Sequence, residues 1–152
     1  MTGKVKKFVL FLMVAAAVFA MASAASAANW RKVYSDGDYI IHVDTSSIRN
    51  CGSYFEVRER TTFSSYRSRA EIGIIAAFAS VAAGNGRQDA DVTHAITIMQ
   101  YKKNESMSKI FDGVMLNRKG ETVCPMNETK WDKCSKKEEA VRRAVKAMKG
   151  WK

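Results

Sequence analysis

Between Tyr54 and Phe63 the chain alternates. Phe55, Val57, Thr61 and Phe63 fall on one side of an extended strand, and Glu56, Arg58, Arg60 and Thr62 on the other. A period of two with one polar side predicts an antiparallel strand with one face on a core and one face wet. Glu59 interrupts the inward side, which predicts a bulge or the end of the sheet there. Shorter runs flank this stretch. Trp30 to Tyr34 and Tyr39 to Val43 predict two strands joined by Ser35-Asp36-Gly37-Asp38. Asp-Gly between apolar runs signals a hairpin with a type I′ turn. Asp44 stops the second strand, and Asp44-Thr45-Ser46-Ser47 starts a tight turn that Ile48 tucks against the core. Asn50-Cys51-Gly52-Ser53 turns the chain again. Downstream, His94 to Tyr101, Met107 to Leu116 and Glu121 to Val123 predict a meander. Gly113 reads as a bulge. Asn117-Arg118-Lys119-Gly120 reads as a type I turn with its glycine in the left-handed position.

The period changes in two places. Ser68-Arg69-Ala70-Glu71 matches a capping box and predicts a helix from about Arg69 to Ala83, stopped by Gly84-Asn85-Gly86. Ile72 to Ala83 is apolar nearly all round, so this helix is expected to lie across the sheet and be buried. The sharper reading makes it a dimer contact, or a surface for a membrane or a partner. Pro125 to Lys133 reads as loop. Ser135-Lys136-Lys137-Glu138 is a second capping box, and Val141, Ala144, Val145 and Met148 form an amphipathic stripe. Glu138–Arg142 and Glu139–Arg143 are i,i+4 pairs in the favourable order. Gly150 ends this helix and leaves Trp151 and Lys152 as a tail. The pattern as a whole predicts an α+β fold: an antiparallel β-sheet of about five to six strands, packed with one internal apolar helix and one C-terminal amphipathic helix.

The first 27 residues do not fit this pattern. Lys4, Lys6 and Lys7 precede the apolar run Phe8 to Ala22, and small residues follow. A basic start, an apolar middle and Ala25-Ser26-Ala27 mark a secretory signal peptide cleaved before Ala28. The run is shorter than the ~20 residues of a spanning helix, so no stable membrane span is expected after cleavage. No cysteine stands near the cleavage site to be acylated. Residues 28–152 are then a single exported domain, periplasmic, cell-surface or secreted. Three lysines leave with the signal and no acid does, so the net charge falls from +10 to +7. A basic exported protein meets anionic envelope surfaces, polyanions or acidic partners; nucleic acid is not an expected partner. Arg142, Arg143, Lys146 and Lys149 line the C-terminal helix as a basic binding face, to be weighed against an ordinary solvated one.

An oxidising compartment permits a disulfide. Cys124 and Cys134 flank an irregular segment and are the favoured pair, a closure that contributes roughly 2–3 kcal/mol. Cys51 is then the odd thiol, either buried or bonded to another copy of the chain.

The sequence carries no catalytic or cofactor motif. His42 and His94 lack a Cys or His partner at metal-ligand spacing, and they approach each other only if their strands pair. Nothing orients a Cys51–His pair as a nucleophile. Glu56 and Glu59 fall on opposite faces of one strand, a poor acid–base pair. Gly84-Asn85-Gly86 follows a helix, whereas a dinucleotide loop follows a strand. The sequons at Asn104 and Asn127 carry little weight beside an Ala-rich signal of bacterial type. The expectation is a non-enzymatic protein without cofactor or metal.

A Trp-led strand, a Tyr-led strand ending in Asp with Ser-Ile after it, and a long strand behind a glycine turn stand here as Trp30, Tyr39, Asp44, Ser47, Ile48, Gly52 and the strand through Val57. With the meander through Gly120, then Trp131 and a C-terminal helix, this layout resembles the surface-adhesin protein E-like family of bacterial envelopes. The resemblance implies an antiparallel sheet with helix packing, a homodimer, and binding of host or matrix proteins. Two features depart from the family. Its disulfide joins a central strand to the C-terminal helix, where this chain has Met99 and Gln100 on the strand and no cysteine on the helix. Its prototype resembles a lipoprotein. The expected function is therefore a binding module for a protein or a polyanionic envelope or matrix component, with a homodimerising periplasmic protein as the alternative.

Overall fold

In the computed structural model, which describes residues 28–82 and 91–152, six strands follow one another as an antiparallel meander. They are β1 (Trp30–Ser35), β2 (Tyr39–Asn50), β3 (Tyr54–Phe63), β4 (Val92–Lys102), β5 (Met107–Asn117) and β6 (Thr122–Met126). A two-residue strand, β7 (Asp132–Lys133), pairs with the start of β5. Helix α1 (Tyr66–Ala82) interrupts the meander after β3, and α2 (Lys136–Lys149) follows it. The α+β class expected from the pattern is the class observed. The signal peptide expected at residues 1–27 and the glycine stop expected after Ala83 lie outside the described residues.

The β3–β4 ladder runs unbroken from Tyr54 opposite Lys102 to Thr62 opposite His94. Glu59 therefore neither bulges the strand nor ends the sheet. It is buried on the inward face, where the Tyr101 hydroxyl donates to its carboxylate at 2.6 Å. Asp44 bends β2 rather than stopping it. Its carboxylate accepts from Asn29 N at 3.1 Å and Ser46 N at 3.0 Å, and the ladder with β3 resumes at Arg49. Ser47 Oγ accepts from Arg58 N at 2.8 Å and so replaces one of the missing ladder bonds. Ile48 packs against the core as expected.

The Asp36-Gly37 hairpin forms, but without a type I′ turn. Among the described residues only Gly52, Gly120 and Gly150 have positive φ. The Asp36 carboxylate accepts from Asp38 N at 2.8 Å and Tyr39 N at 2.7 Å. This side-chain closure makes a left-handed backbone unnecessary. Gly113 is not the bulge either. The register of β5 shifts nearer Phe111, between Asp112 and Ile110. Gly113 is a close approach, since a Cβ there would stand 2.7 Å from Thr97 Cγ2 and 2.8 Å from the Ile96 carbonyl oxygen.

Both helices pack on the same face of the sheet, in two separate apolar clusters. Under α2, Val141 and Val145 meet Ile41, Val43, Phe55, Val57, Met99 and Tyr101. Under α1, Ala76 meets Phe63, Val92, Ala95, Met115 and Cys124. Register places Glu59, Thr97 and Gly113 side by side in one row across the strands. That polar, glycine-containing row separates the two clusters. Among the described residues no helix is long and apolar enough to cross a membrane.

The capping box on α2 is complete: Ser135 Oγ accepts from Glu138 N, and the Glu138 carboxylate accepts from Ser135 N at 2.7 Å. Glu138 is thereby engaged, and Glu139 bonds both Arg142 at 3.1 Å and Arg143 at 2.9 Å. Gly150 ends the helix with φ of 66°. Trp151 is not a free tail. Its ring centroid lies 5.4 Å from that of Phe55, and Lys103 Nζ stands 4.9 Å above it. The stretch expected to be loop from Pro125 onward contains the end of β6 and all of β7; Pro125 is tolerated because β6 is an edge strand.

Candidate functional site

Helix α1 begins three residues before the expected start. Ser65, not Ser68, is its cap: Ser65 Oγ accepts from Ser68 N at 3.0 Å, and Ser68 Oγ donates back to the Ser65 carbonyl at 3.1 Å. Ser68, Ile72, Ala76 and Ser80 then recur every four residues, on one stripe of the helix. Ser68, Ala76 and Ser80 are fully buried, and Ile72 packs partly against the α1 cluster. The large apolar residues point away: Phe78 is 74% exposed, Ile74 59%, Val81 58% and Ile75 57%. The expectation of a helix buried across the sheet is therefore corrected. Small side chains let the helix sit close to the sheet, and the one-sided meander offers nothing to cover its outer face. At the start of that face Tyr66 is also exposed, and an Arg67–Glu71 pair at 3.0 Å is solvated and contributes little.

The opposite face of the sheet carries neither helix. Cross-strand register lines up Trp30, Asp44, Arg58, Ile98 and Asp112 in one row, and Lys32, His42, Arg60, Ile96 and Val114 in the next. Arg60 lies over the Trp30 ring, 5.2 Å from its centroid. His42 and His94 both titrate below the ordinary histidine range, first because of burial and then because of the Arg60 charge; Lys32 adds to the effect at His42. The two histidines stand on β2 and β4 with β3 between them, so their strands do not pair. Among the described residues, no group of three His, Cys, Asp or Glu is placed to hold a metal.

The basic residues expected to line α2 divide into two pairs. Arg142 is buried and donates to the carbonyls of Lys102 and Lys103, each at 2.9 Å. Lys146 Nζ donates to the Lys103 carbonyl at 2.9 Å. These two tie α2 to the end of β4. Arg143, paired with Glu139, and Lys149 remain on the surface. The helix periodicity was legible, but the carbonyls that Arg142 and Lys146 reach lie some 40 residues away in sequence.

Cys124 and Cys134 do not meet. Cys124 stands opposite Met115 on β5, while Cys134 N donates to Ser106 O just before β5 begins. Eight or nine strand residues between those points span about 25 Å, far beyond the reach of a disulfide. The bond expected from the sequence is absent from this structure, and all three cysteines are free. Burial raises the thiol pKa of Cys124 and, against hydrogen bonds from Ser108 and Ser106, that of Cys134. Neither is an activated thiolate. Cys51 lies half-exposed at the β2–β3 turn.

Among the described residues, Glu59 and Tyr101 form the one strongly perturbed acidic pair. Burial pushes Glu59 up to about 8, against the Tyr101 hydrogen bond, and nearby Glu138 pushes the same way. Tyr101 is raised well above the usual tyrosine range, by burial first and by Glu59 second. Both side chains are buried, Tyr101 beneath α2 and Glu59 beside that cluster, out of reach of a substrate. Glu56 is on the other face and accepts from Gln100 Nε2 at 2.6 Å, so the two carboxylates cannot work as an acid–base pair. No family model, curated protein or solved structure matches this chain.

Proposed function

We propose that this chain is an exported cell-envelope protein that acts without catalysis, by binding another protein through the outward face of α1. The observation that carries this reading is the inversion of that helix: Ser68, Ala76 and Ser80 face the sheet while Ile74, Ile75, Phe78 and Val81 face solvent. Apolar side chains grouped on an exposed surface mark an interaction site. The signal-like N-terminus and the resemblance to the adhesin protein E-like family support the same reading. A polyanion is the weaker occupant, because Arg142 and Lys146 are engaged internally and α1 has no charge from Ile72 to Ala82. That uncharged stretch also favours a second reading, in which two copies pair through α1 without opposing charges.

The test is capture from an envelope extract by immobilised residues 28–152, with Ile75→Arg/Phe78→Glu as control and sedimentation of both free proteins. A protein captured by the wild type, retained at high salt and lost with the double variant supports the proposal. A concentration-dependent dimer lost in the variant favours the second copy. Identical capture by both forms, with both monomeric, removes both readings.

A further inference from the structure

The sheet face opposite the helices holds two adjoining depressions, of about 390 and 220 Å³, which share Arg58 and Ile98. They differ in lining. The larger is mixed, with Asp44, Ser46, Ser47, Arg49 and Glu56 beside Arg58, and Ile98 and Phe111 as its apolar part. The smaller is apolar, with Trp30, Ile96 and Val114 around Ile98. Arg58 sits where they meet, and Arg60 lies over the Trp30 ring at the edge of the smaller depression. Arg58 and Arg60 project from the same side of β3 two residues apart, roughly 7 Å along the strand. Neither guanidinium makes an ion pair or a side-chain hydrogen bond to the described residues.

Asp44 and Glu56 line the larger depression and Asp112 the smaller, and each accepts a hydrogen bond from a neutral N–H group. Asp44 accepts from Asn29 N and Ser46 N, Glu56 from Gln100, and Asp112 from Gly113 N at 2.9 Å. Burial first, and the Arg60 charge second, lowers the pKa values of His42 and His94 on this face. A guanidinium is suited to bind a carboxylate through two parallel hydrogen bonds.

We infer that this groove binds a medium-chain carboxylate amphiphile, its head on Arg58 and Arg60 and its apolar body along Ile96, Ile98 and Val114 against Trp30. This site is on the side of the sheet away from α1 and does not depend on the proposed protein-binding role. A free anion would leave the apolar depression empty. An uncharged chain would leave both guanidiniums without an ion pair.

The experiment is a titration of isoleucine-methyl-labelled residues 28–152, which contain every described element, with decanoate below its micelle concentration. Ile96 and Ile98 methyl resonances are expected to shift saturably, while those of Ile74 and Ile75 stay in place. Arg58→Gln/Arg60→Gln is expected to weaken binding roughly tenfold or more, the loss of charge-assisted hydrogen bonds. Acetate and uncharged decyl glucoside are expected to bind far more weakly than decanoate, and Phe78→Glu to leave decanoate binding unchanged. Shifts at Ile74 and Ile75 instead, or loss of binding with Phe78→Glu, would move the ligand to α1 and overturn the inference. Equal binding of decyl glucoside, or unchanged affinity in the double arginine variant, would overturn it as well.

Discussion

Helix α2 meets the sheet through Val141 and Val145, both fully buried, and leaves Arg143 and Lys149 in solvent. Helix α1 lies on the same face of the same sheet, meets it through Ser68, Ala76 and Ser80, and leaves Ile74, Ile75, Phe78 and Val81 in solvent. A fully buried valine contributes roughly 1.5–3 kcal/mol, and a serine or alanine far less. Stability is thus concentrated under α2, where the core also contains Phe55, Tyr101 and Trp151. Under α1 the sheet is covered thinly, and the side chains able to bury the most apolar surface have none to bury it against. The contrast shows what apolarity means in each helix. In α2 it holds the fold together; in α1 most of it stays in solvent.

The most direct way to break this comparison is to make the same substitution on each side. Phe55 is fully buried between Tyr101 and Trp151, with both ring centroids at 5.4 Å. Phe55→Ala is expected to lower unfolding stability by about 3–5 kcal/mol, and Phe78→Ala to change it by less than about 0.5 kcal/mol. Urea titration of both variants measures the difference. A Phe78→Ala loss as large as that of Phe55→Ala would show that the outward face of α1 is covered within a single copy.

Next in size is the polar residue enclosed beside the α2 cluster. The pKa of Glu59 is about 8 in the fold against an ordinary 4.5. The folded state therefore holds this proton more tightly than the unfolded state does. The resulting stabilisation is complete below about pH 4.5, declines as pH rises, and is gone above about pH 8. Glu59→Gln keeps the shape of the side chain and removes the titration. Wild type is expected to lose on the order of 3 kcal/mol relative to Glu59→Gln between pH 5 and 8. Parallel pH profiles for the two proteins would show that Glu59 ionises in the fold as it does in water.

Much of this fold was legible in the sequence because its contacts are local. Each strand pairs with the next, so alternation and turn residues carry most of the topology. The capping box at Ser135 and the left-handed glycines at 120 and 150 could be read from a few adjacent residues. The misreadings share a physical cause, which is that the deciding partner is distant or unexpected. Glu59 is tolerated on the inward face because Tyr101, on the neighbouring strand, supplies its hydrogen bond. Arg142 reads as part of an exposed basic face because its carbonyl acceptors, Lys102 and Lys103, lie far off in sequence at the end of β4. Cys124 and Cys134 are close in sequence, yet β6 and β7 carry them to opposite ends of β5. The two surfaces of interest were legible only in part. Alternation gave the wet side of β3 with Arg58 and Arg60. It could not show that Trp30 and Ile96 share that side, and composition could not show which side of an almost wholly apolar helix would be left bare.

The smallest effect tests the inversion of α1 from the inside. Ser80 Oγ is buried and has no hydrogen-bond partner among the described residues. A buried hydroxyl without a partner is destabilising, and its removal is close to isosteric. Ser80→Ala is expected to raise stability by roughly 0.5–1 kcal/mol, whereas an alanine at a well-bonded buried serine would lower it. Ser80→Val should lower it instead, because a larger side chain at this buried position lifts the helix off the sheet. A gain for alanine with a loss for valine would show that α1 needs small residues against the sheet, and that the serine is there for its size. A loss for alanine would mean that the hydroxyl is bonded in solution, and that the inner stripe of α1 is selected for polarity rather than for close approach.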